Sequence, residues 1–477
     1  MSLKQFKVAL AQEDVVAALR EGLIGEGVMI PGFAGEVPLV YADFVASGRA
    51  LQQVESYIAT QVLPYYANSH TEASFCGAYM TNLRREARSE IARLTGAGDE
   101  CSVVFAGSGA TAGLNRLLSL LGVEQATKPV VFIGPYEHHS NILPWRESKA
   151  KIVEIPEAHD GGPDLAYLQK ALQQYQDSDL RIGSFSVASN VTGIVTDPDP
   201  VTRLLKAHGA LAVWDYAGGG PYLPIDMATG TDAEKDAVVV SPHKFPGGPG
   251  ASGVFILRKS VVKRQTPSWP GGGTVSFVSP WSHEYCKDIA TREEAGTPNV
   301  VGDIRAALVF LVKEAVGQTT IHERETQLNQ LALEGWRDNP ALTLLGVERA
   351  QRLPIFSFLV HDKNGKAVHQ QLFTRMLSDI YGIQARGGCA CAGPYAHRLL
   401  GIDRAASQSL HDALRAGEEM LKPGWVRLNF SYLMSDEKAR YIIDSVTELA
   451  ANVDSYIDDY QVDSSTARFK AKREQLI

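Results

Sequence analysis

The sequence predicts an α/β protein with a large, mostly parallel sheet followed by a smaller α+β region, and three observations predict it. Between residues 100 and 260, short runs rich in Val and Ile recur with helical stretches between them. Most of these runs are short and apolar rather than strictly alternating, as in strands buried on both faces. After about residue 300 the alternation ends, and long helical stretches stand beside separate strands.

Taken in order, the pattern predicts strands at Ser102–Phe105, Pro129–Ile133, Lys151–Ile155, Ile182–Ala188, Leu211–Trp214, Ala237–Val240 and Gly253–Leu257. Helices are predicted at Thr111–Leu121, Leu165–Tyr175 and Pro200–His208, the last with prolines ahead of it, where a helix start tolerates them. Strand–helix alternation of this kind gives a sheet covered on both faces. Asp303–Val316 and Thr320–Trp336 read as long helices, Leu353–Val360 and Trp425–Phe430 as strands, and Asp436–Tyr460 as a final helix. Met1–Arg20 reads as one amphipathic helix. The domain division expected is an N-terminal segment, 1–30, packing on the smaller domain; a large domain, 31–310; and a small C-terminal domain, 311–477.

Of the 477 residues, 45% are hydrophobic and 21% charged, an ordinary globular balance. The net charge of −8 and the lack of a basic stripe argue against a nucleic-acid partner, which needs cations to neutralise phosphates. The basic tail Arg468–Arg473 reads as a solvated helix face. No apolar run is long enough for a membrane helix, and the start lacks the form of a signal peptide. Five cysteines, Cys76, Cys101, Cys286, Cys389 and Cys391, are then expected as reduced thiols in a cytoplasm.

Four segments carry chemistry. Phe105–Asn115 ends a strand, passes glycines and begins a helix, whose free N–H groups attract an anion; Thr111 adds a hydroxyl. It has neither the Gly-Lys-Ser/Thr of a Walker loop nor the spaced glycines of a dinucleotide site. In Ala212–Asp215 a carboxylate ends an apolar strand, at the edge where α/β proteins place functional groups; it suits a ring N–H, a metal, a ribose or a turn cap. In Val240–Gly250, Lys244 stands at a strand tip among a hydroxyl, an imidazole and glycines, a setting that makes a Schiff-base amine. Ile383–Tyr395 places Cys389 and Cys391 in a glycine loop, open to act as nucleophiles, and no second Cys/His pair nearby points to a metal.

As a set, these segments resemble the class V aminotransferase family, in its cysteine desulfurase and selenocysteine lyase branch. The likeness also rests on Tyr41–Ser47, Glu137–Trp145 and Glu294–Asn299, and runs through Arg427. Arg386-Gly-Gly-Cys-Ala-Cys391, His397–Ile402 and Val426–Phe430 resemble the sulfurase domain of molybdenum cofactor sulfurases.

The resemblance implies the aspartate-aminotransferase-like fold type I of pyridoxal 5'-phosphate (PLP) enzymes. It implies Lys244 as the Schiff-base lysine, Asp215 as partner of the ring nitrogen, and His138 stacked on the ring. Ala110, Thr111, Ser241 and His243 would cradle the phosphate, with Thr297 arriving from a second subunit and Gly271–Thr274 also reaching a neighbour. Asn190 would lie near the ring's oxygen substituent, and Arg427 would hold the substrate carboxylate, for which its fork is suited. Cys391 would accept sulfur. From the spacing, Cys389 and Cys391 in an extended loop are expected to point to opposite sides, so that only one faces the cofactor. A homodimer, an amino-acid substrate and a sulfur-acceptor protein are implied as partners. One position departs from the family: Gly218 stands where Gln is common, three residues after Asp215. The activity implied is removal of sulfur from L-cysteine, or selenium from selenocysteine, to give alanine. The alternative is another activity of the same fold, such as transamination, epimerisation or a different C–S lyase reaction.

Overall fold

Seven strands form the central sheet of the computed structural model, which describes residues 2–69, 71–348 and 350–472. In chain order they are β1 (Cys101–Gly107), β2 (Pro129–Ile133), β3 (Lys151–Glu154), β4 (Leu180–Ser186), β5 (Leu211–Asp215), β6 (Ala237–Val240) and β7 (Gly253–Arg258). Their spatial order is β1-β7-β6-β5-β4-β2-β3. All neighbours are parallel except β7, which runs antiparallel to both β1 and β6.

The continuous apolar runs explain the burial. Val104, Val131, Ile182, Val213, Val239 and Phe255 share one core with Leu114 and Leu117 of α1 (Gly109–Leu120). Helix α2 (Leu165–Gln174) begins where Asp164 accepts the N–H of Tyr167, and α3 (Pro198–Ala207) where Asp197 accepts that of Asp199. The long α4 (Val300–Val316) is buried on nearly every side.

The chain divides into two units. The first holds residues 1–24, 47–188 and 195–320; the second holds 25–46, 189–194 and 321–477. In the second unit a four-stranded sheet runs β8-β9-β11-β10, from β8 (Leu342–Leu344), β9 (Ile355–Val360), β10 (Arg386–Gly388) and β11 (Trp425–Asn429). Its core gathers Trp336, Phe356, Phe358, Phe373 and Phe430.

Several expectations are corrected. The N-terminal stretch is two helices, Leu3–Leu10 and Val15–Glu21, because Asp14 caps a second start. Residues 1–24 lie in the first unit rather than the smaller one: Phe6 meets the Tyr57 ring edge-on at 5.3 Å, and Lys7 pairs with Glu90 and Glu314. The final long helix stops at Asn452. The basic tail is a strand: Arg468–Ala471 pairs antiparallel with Tyr460–Asp463, and its alternating exposed and covered residues suit a ribbon. Arg473 lies outside the described residues. Among the described residues no helix is long and apolar enough to cross a membrane.

Candidate active site

The carboxyl ends of β1, β2, β4, β5 and β6 bring the sequence-predicted groups of the first unit to one sheet edge, the usual place for ligands in such sheets. β1 ends at Gly107, and α1 begins two residues later. Gly109 has φ +61°, and a Cβ there would meet Ser241 Oγ at 2.9 Å and the His243 ring at 3.0 Å. Ser241 Oγ accepts the N–H of Ala110 at 3.0 Å, so the strand tip of β6 closes on the helix start. Thr111 Oγ1 and Ser140 Oγ are 2.7 Å apart. The burial of His243, and then the charge of Lys244, pull its pKa down to about 4. At neutral pH it is therefore an uncharged hydrogen-bonding group.

Lys244 ends a single helical turn, Pro242–Lys244, after β6. That turn is held by the N–H of Gly48, donated to the His243 carbonyl at 2.9 Å. A Cβ at Gly48 would lie 1.9 Å from the Phe245 carbonyl oxygen, so only glycine permits this approach.

Asp215 ends β5 and is buried. The Ala217 N–H reaches its Oδ1 at 2.7 Å. Burial raises its pKa, while that hydrogen bond and the charge of Lys244 act the other way. Gly218 follows in a turn where Gly219 is tightly enclosed: a Cβ there would meet Val187 at 2.7 Å.

His138 accepts the Ser140 N–H on Nδ1 at 3.1 Å. The preceding Glu137 is fully buried. It accepts from Ser186 N–H at 2.9 Å, Ser186 Oγ at 2.6 Å and Asn141 Nδ2 at 2.5 Å. Burial raises its pKa to about 7 against those hydrogen bonds. Asn141 in turn accepts from Trp145 and Ser184, so the tips of β2 and β4 share one buried polar network.

In the second unit, Arg427 on β11 is 3% exposed. It donates to the Asn190 carbonyl at 3.0 Å and to Asp43 Oδ1 at 2.8 Å. Burial lowers its pKa, with the Asp43 charge opposing. Asn190 Nδ2 donates to the Ala390 carbonyl at 2.9 Å, while its Oδ1 is buried without a hydrogen-bond partner. Cys391 is exposed and interacts electrostatically with Arg427; Cys389 is half-buried.

An extended segment would put residues two apart on the same face, so extension could not separate the two thiols. The chain is not extended there: β10 ends at Gly388, and Ala390 and Cys391 are both left-handed, at φ 51° and 55°. Such conformations are strained outside glycine and gather at functional sites.

Thr297 is exposed and lines a cavity of about 540 Å³ with Ser108, Arg116, Trp269 and Glu294, rather than with Lys244 or Asp215. Glu294 fixes that loop through ion pairs to Arg84 and Arg88 of the helix Phe75–Leu94. Among the described residues no group of three His, Cys, Asp or Glu is placed to hold a metal.

Two sets of polar groups have contacts that the sequence does not announce. Glu137 and Asn141 lie in a segment that carries the family likeness, but nothing there links them to Ser184 and Ser186. Asp43 and Arg386 meet their partners across 384 and 343 residues, beyond any local pattern.

Residues 40–418 match the family model "Aminotransferase class-V". A protein of Halalkalibacterium halodurans named "probable cysteine desulfurase" is 27% identical over 400 residues, covering 81% of this chain and 93% of its own. A "cysteine desulfurase" of Salmonella newport is 29% identical over 363 residues, covering 75% and 85%. Among solved structures, the cysteine desulfurase of Thermococcus onnurineus superposes with a TM-score of 0.72 at 24% identity, covering 86% of this chain and 94% of its own. The cysteine desulfurase CsdA of Escherichia coli gives 0.68 at 23%, with the same coverage. The fold is thus the α/β fold type I of PLP enzymes, and the chain belongs to the class V aminotransferase family, whose members use PLP.

Proposed function

We propose that this chain is a PLP-dependent cysteine desulfurase, acting on L-cysteine or selenocysteine through a persulfide on Cys391. The observation that carries the reading is a pairing of chemistries. One sheet edge holds Lys244 within the electrostatic reach of buried Asp215, and the second unit holds an exposed thiol, Cys391, within that of buried Arg427. The named relatives point the same way.

Three features support the cofactor. Gly109 leaves room that a side chain would fill, beside Ser241 and His243 at a helix start. The hydroxyls of Thr111, Ser140 and Ser241 stand there as well. Asp215 offers a buried carboxylate suited to a ring N–H. In this reading Lys244 would hold PLP covalently, Asp215 would face its ring nitrogen, and His138 its ring face. Ala110, Thr111, Ser241 and His243 would surround its phosphate, with Asn190 at the ring oxygen and Thr297 supplied by a partner subunit. When bound, PLP supplies the electron sink for the carbanion left after loss of the substrate's α-proton.

The residues then divide the work. Arg427 would hold the substrate carboxylate. Lys244 Nζ would take the α-proton. The Cys391 sulfur, as thiolate, would attack the substrate sulfur, forming an S–S bond as the substrate's Cβ–S bond breaks. A proton returned to the substrate completes alanine, so cysteine and one thiol become alanine and one persulfide. We further propose a two-fold homodimer, a cytoplasmic setting and an acceptor protein that removes the sulfur. Exposed Thr297 and the exposed apolar hairpin carrying Trp281, 90% exposed, support the dimer.

The test is incubation of the purified, PLP-loaded protein with L-cysteine, measuring sulfide (with a thiol reductant) and alanine. Alanine and sulfide in equal amounts are expected. A keto acid in place of alanine would overturn the reading in favour of transamination.

A further inference from the structure

Arg386 and Arg427 lie directly opposite each other across the antiparallel pair β10–β11. Like charges at such a position repel and destabilise a sheet. One carboxylate answers both: Asp43 Oδ1 accepts from Arg427 at 2.8 Å, and Asp43 Oδ2 accepts from Arg386 Nε at 2.9 Å. Asp43 is 8% exposed and Arg427 3%, whereas the Arg386 side chain is half exposed. The segment bearing Asp43 is itself pinned, because Asn429 Oδ1 accepts the Val45 N–H and the Ala42 carbonyl accepts the Asn429 N–H. From Arg427 the bonds continue through the Asn190 carbonyl, and from Asn190 Nδ2 to the Ala390 carbonyl, next to Cys391.

Two guanidiniums and one carboxylate sum to a single positive charge. Arg427 Nε is buried without a hydrogen-bond partner, so the cluster also keeps a donor to spare. We propose that Asp43 is the positioning residue that sets the charge of this site: it holds both arginines, leaves one net positive charge beside Cys391, and so matches a substrate with one free carboxylate. This rests on the desulfurase reading for the substrate, but not for the charge at the thiol.

The test uses alkylation of Cys391 by iodoacetate, an anion, and by neutral iodoacetamide, with the site located by peptide mass spectrometry. Both reagents attack the same thiolate, so the ratio of their rates reports local charge and cancels changes in thiolate fraction. Asp43→Asn should raise the iodoacetate-to-iodoacetamide ratio about three- to tenfold, the scale of one uncovered charge near the thiol. Arg386→Gln, at a half-exposed side chain that folding tolerates, should lower it by a similar factor. Added salt should shrink both effects. In turnover of L-cysteine, Asp43→Asn should lower kcat at least tenfold without raising KM, because carboxylate binding is kept and its placement is lost. Ratios unchanged in both variants, or a raised KM with kcat intact, would overturn the proposal. If wild-type protein makes no sulfide, the desulfurase reading fails alone, and the alkylation ratios still decide the charge assignment.

Discussion

Ser140 donates its backbone N–H to Nδ1 of His138, and this one bond fixes where the imidazole carries its proton. A backbone N–H only donates, so Nδ1 accepts and the proton sits on Nε2. The same bond caps the short turn His139–Asn141, so His138 has a structural task beside the one proposed for it at the cofactor's ring face. The two are separable. Asn keeps an acceptor at the cap but has no ring. His138→Asn should leave the melting temperature within a few degrees while kcat for L-cysteine falls sharply, because the imidazole proposed to stack on the ring is lost. Equal losses of stability and activity would show that the cap is its whole role.

Asp215 is buried, and burial favours its neutral form. With cofactor bound, its charge would meet a ring N–H; without cofactor, that charge is an expense to the fold. Asp215→Asn should therefore weaken PLP binding and lower kcat at least 100-fold. The cofactor-free variant should nonetheless melt no lower than cofactor-free wild type, because removing a poorly compensated buried charge is neutral or stabilising. Calorimetry of both forms, with visible absorbance for the cofactor, checks this. A destabilised cofactor-free Asp215→Asn would refute the account.

The central sheet was legible because its strands are buried on both faces, and unbroken Val and Ile runs such as Ala237–Val240 announce that. Lys244 and Asp215 were legible as polar residues ending such runs. The C-terminal hairpin was not: Tyr460–Asp463 follows a helical pattern without a break, and its pairing with Arg468–Ala471 depends on a turn with little apolar signal. Asp43 was hidden for another reason. Its role exists only because β10 and β11 set Arg386 opposite Arg427, a register that no short window of sequence contains.

Gly48 carries a backbone constraint at the Lys244 turn. A Cβ there would stand 1.9 Å from the Phe245 carbonyl oxygen and 3.2 Å from the Lys244 carbonyl carbon. Backbone cannot rotate away as a flexible side chain could. Gly48→Ala should destabilise the protein by about 1–3 kcal/mol, as overpacking does. It should also slow reduction of the PLP–lysine linkage by borohydride or lower cofactor occupancy. A variant with unchanged denaturant midpoint and unchanged occupancy would mean the loop has room to shift.

Glu325 is a buried carboxyl in the second unit whose two oxygens lack hydrogen-bond partners. Burial holds its pKa well above the ordinary carboxylate range, and the charge of Arg324 only partly opposes this. The folded state therefore keeps a proton that the unfolded chain releases. Stability from this group is fully present below the unfolded pKa and is lost as pH rises toward the folded one, by about 1.4 kcal/mol per pH unit. Glu325→Gln has no proton to lose. Its advantage over wild type in urea melts should grow from pH 5 upward. A difference that stays flat with pH would show that Glu325 does not remain protonated in the fold.

Cys391 and its neighbour Ala390 are both left-handed, and each such non-glycine residue stores on the order of 1–3 kcal/mol. The Asn190 side chain holds the turn by its bond to the Ala390 carbonyl. If the turn serves to present the Cys391 thiol, relaxing it should help the fold and harm the chemistry. Ala390→Gly should raise stability, or leave it unchanged, while slowing formation of the persulfide. Cys391→Ser should abolish nearly all sulfide release and leave the cofactor's absorbance intact, because a hydroxyl is a far weaker nucleophile toward sulfur than a thiolate. Cys389→Ser should have the milder effect. Rapid quenching with L-cysteine followed by mass spectrometry of the loop peptide locates the persulfide. Its appearance only on Cys389, or full activity in Cys391→Ser, would give the sulfur-accepting role to the other thiol or to neither.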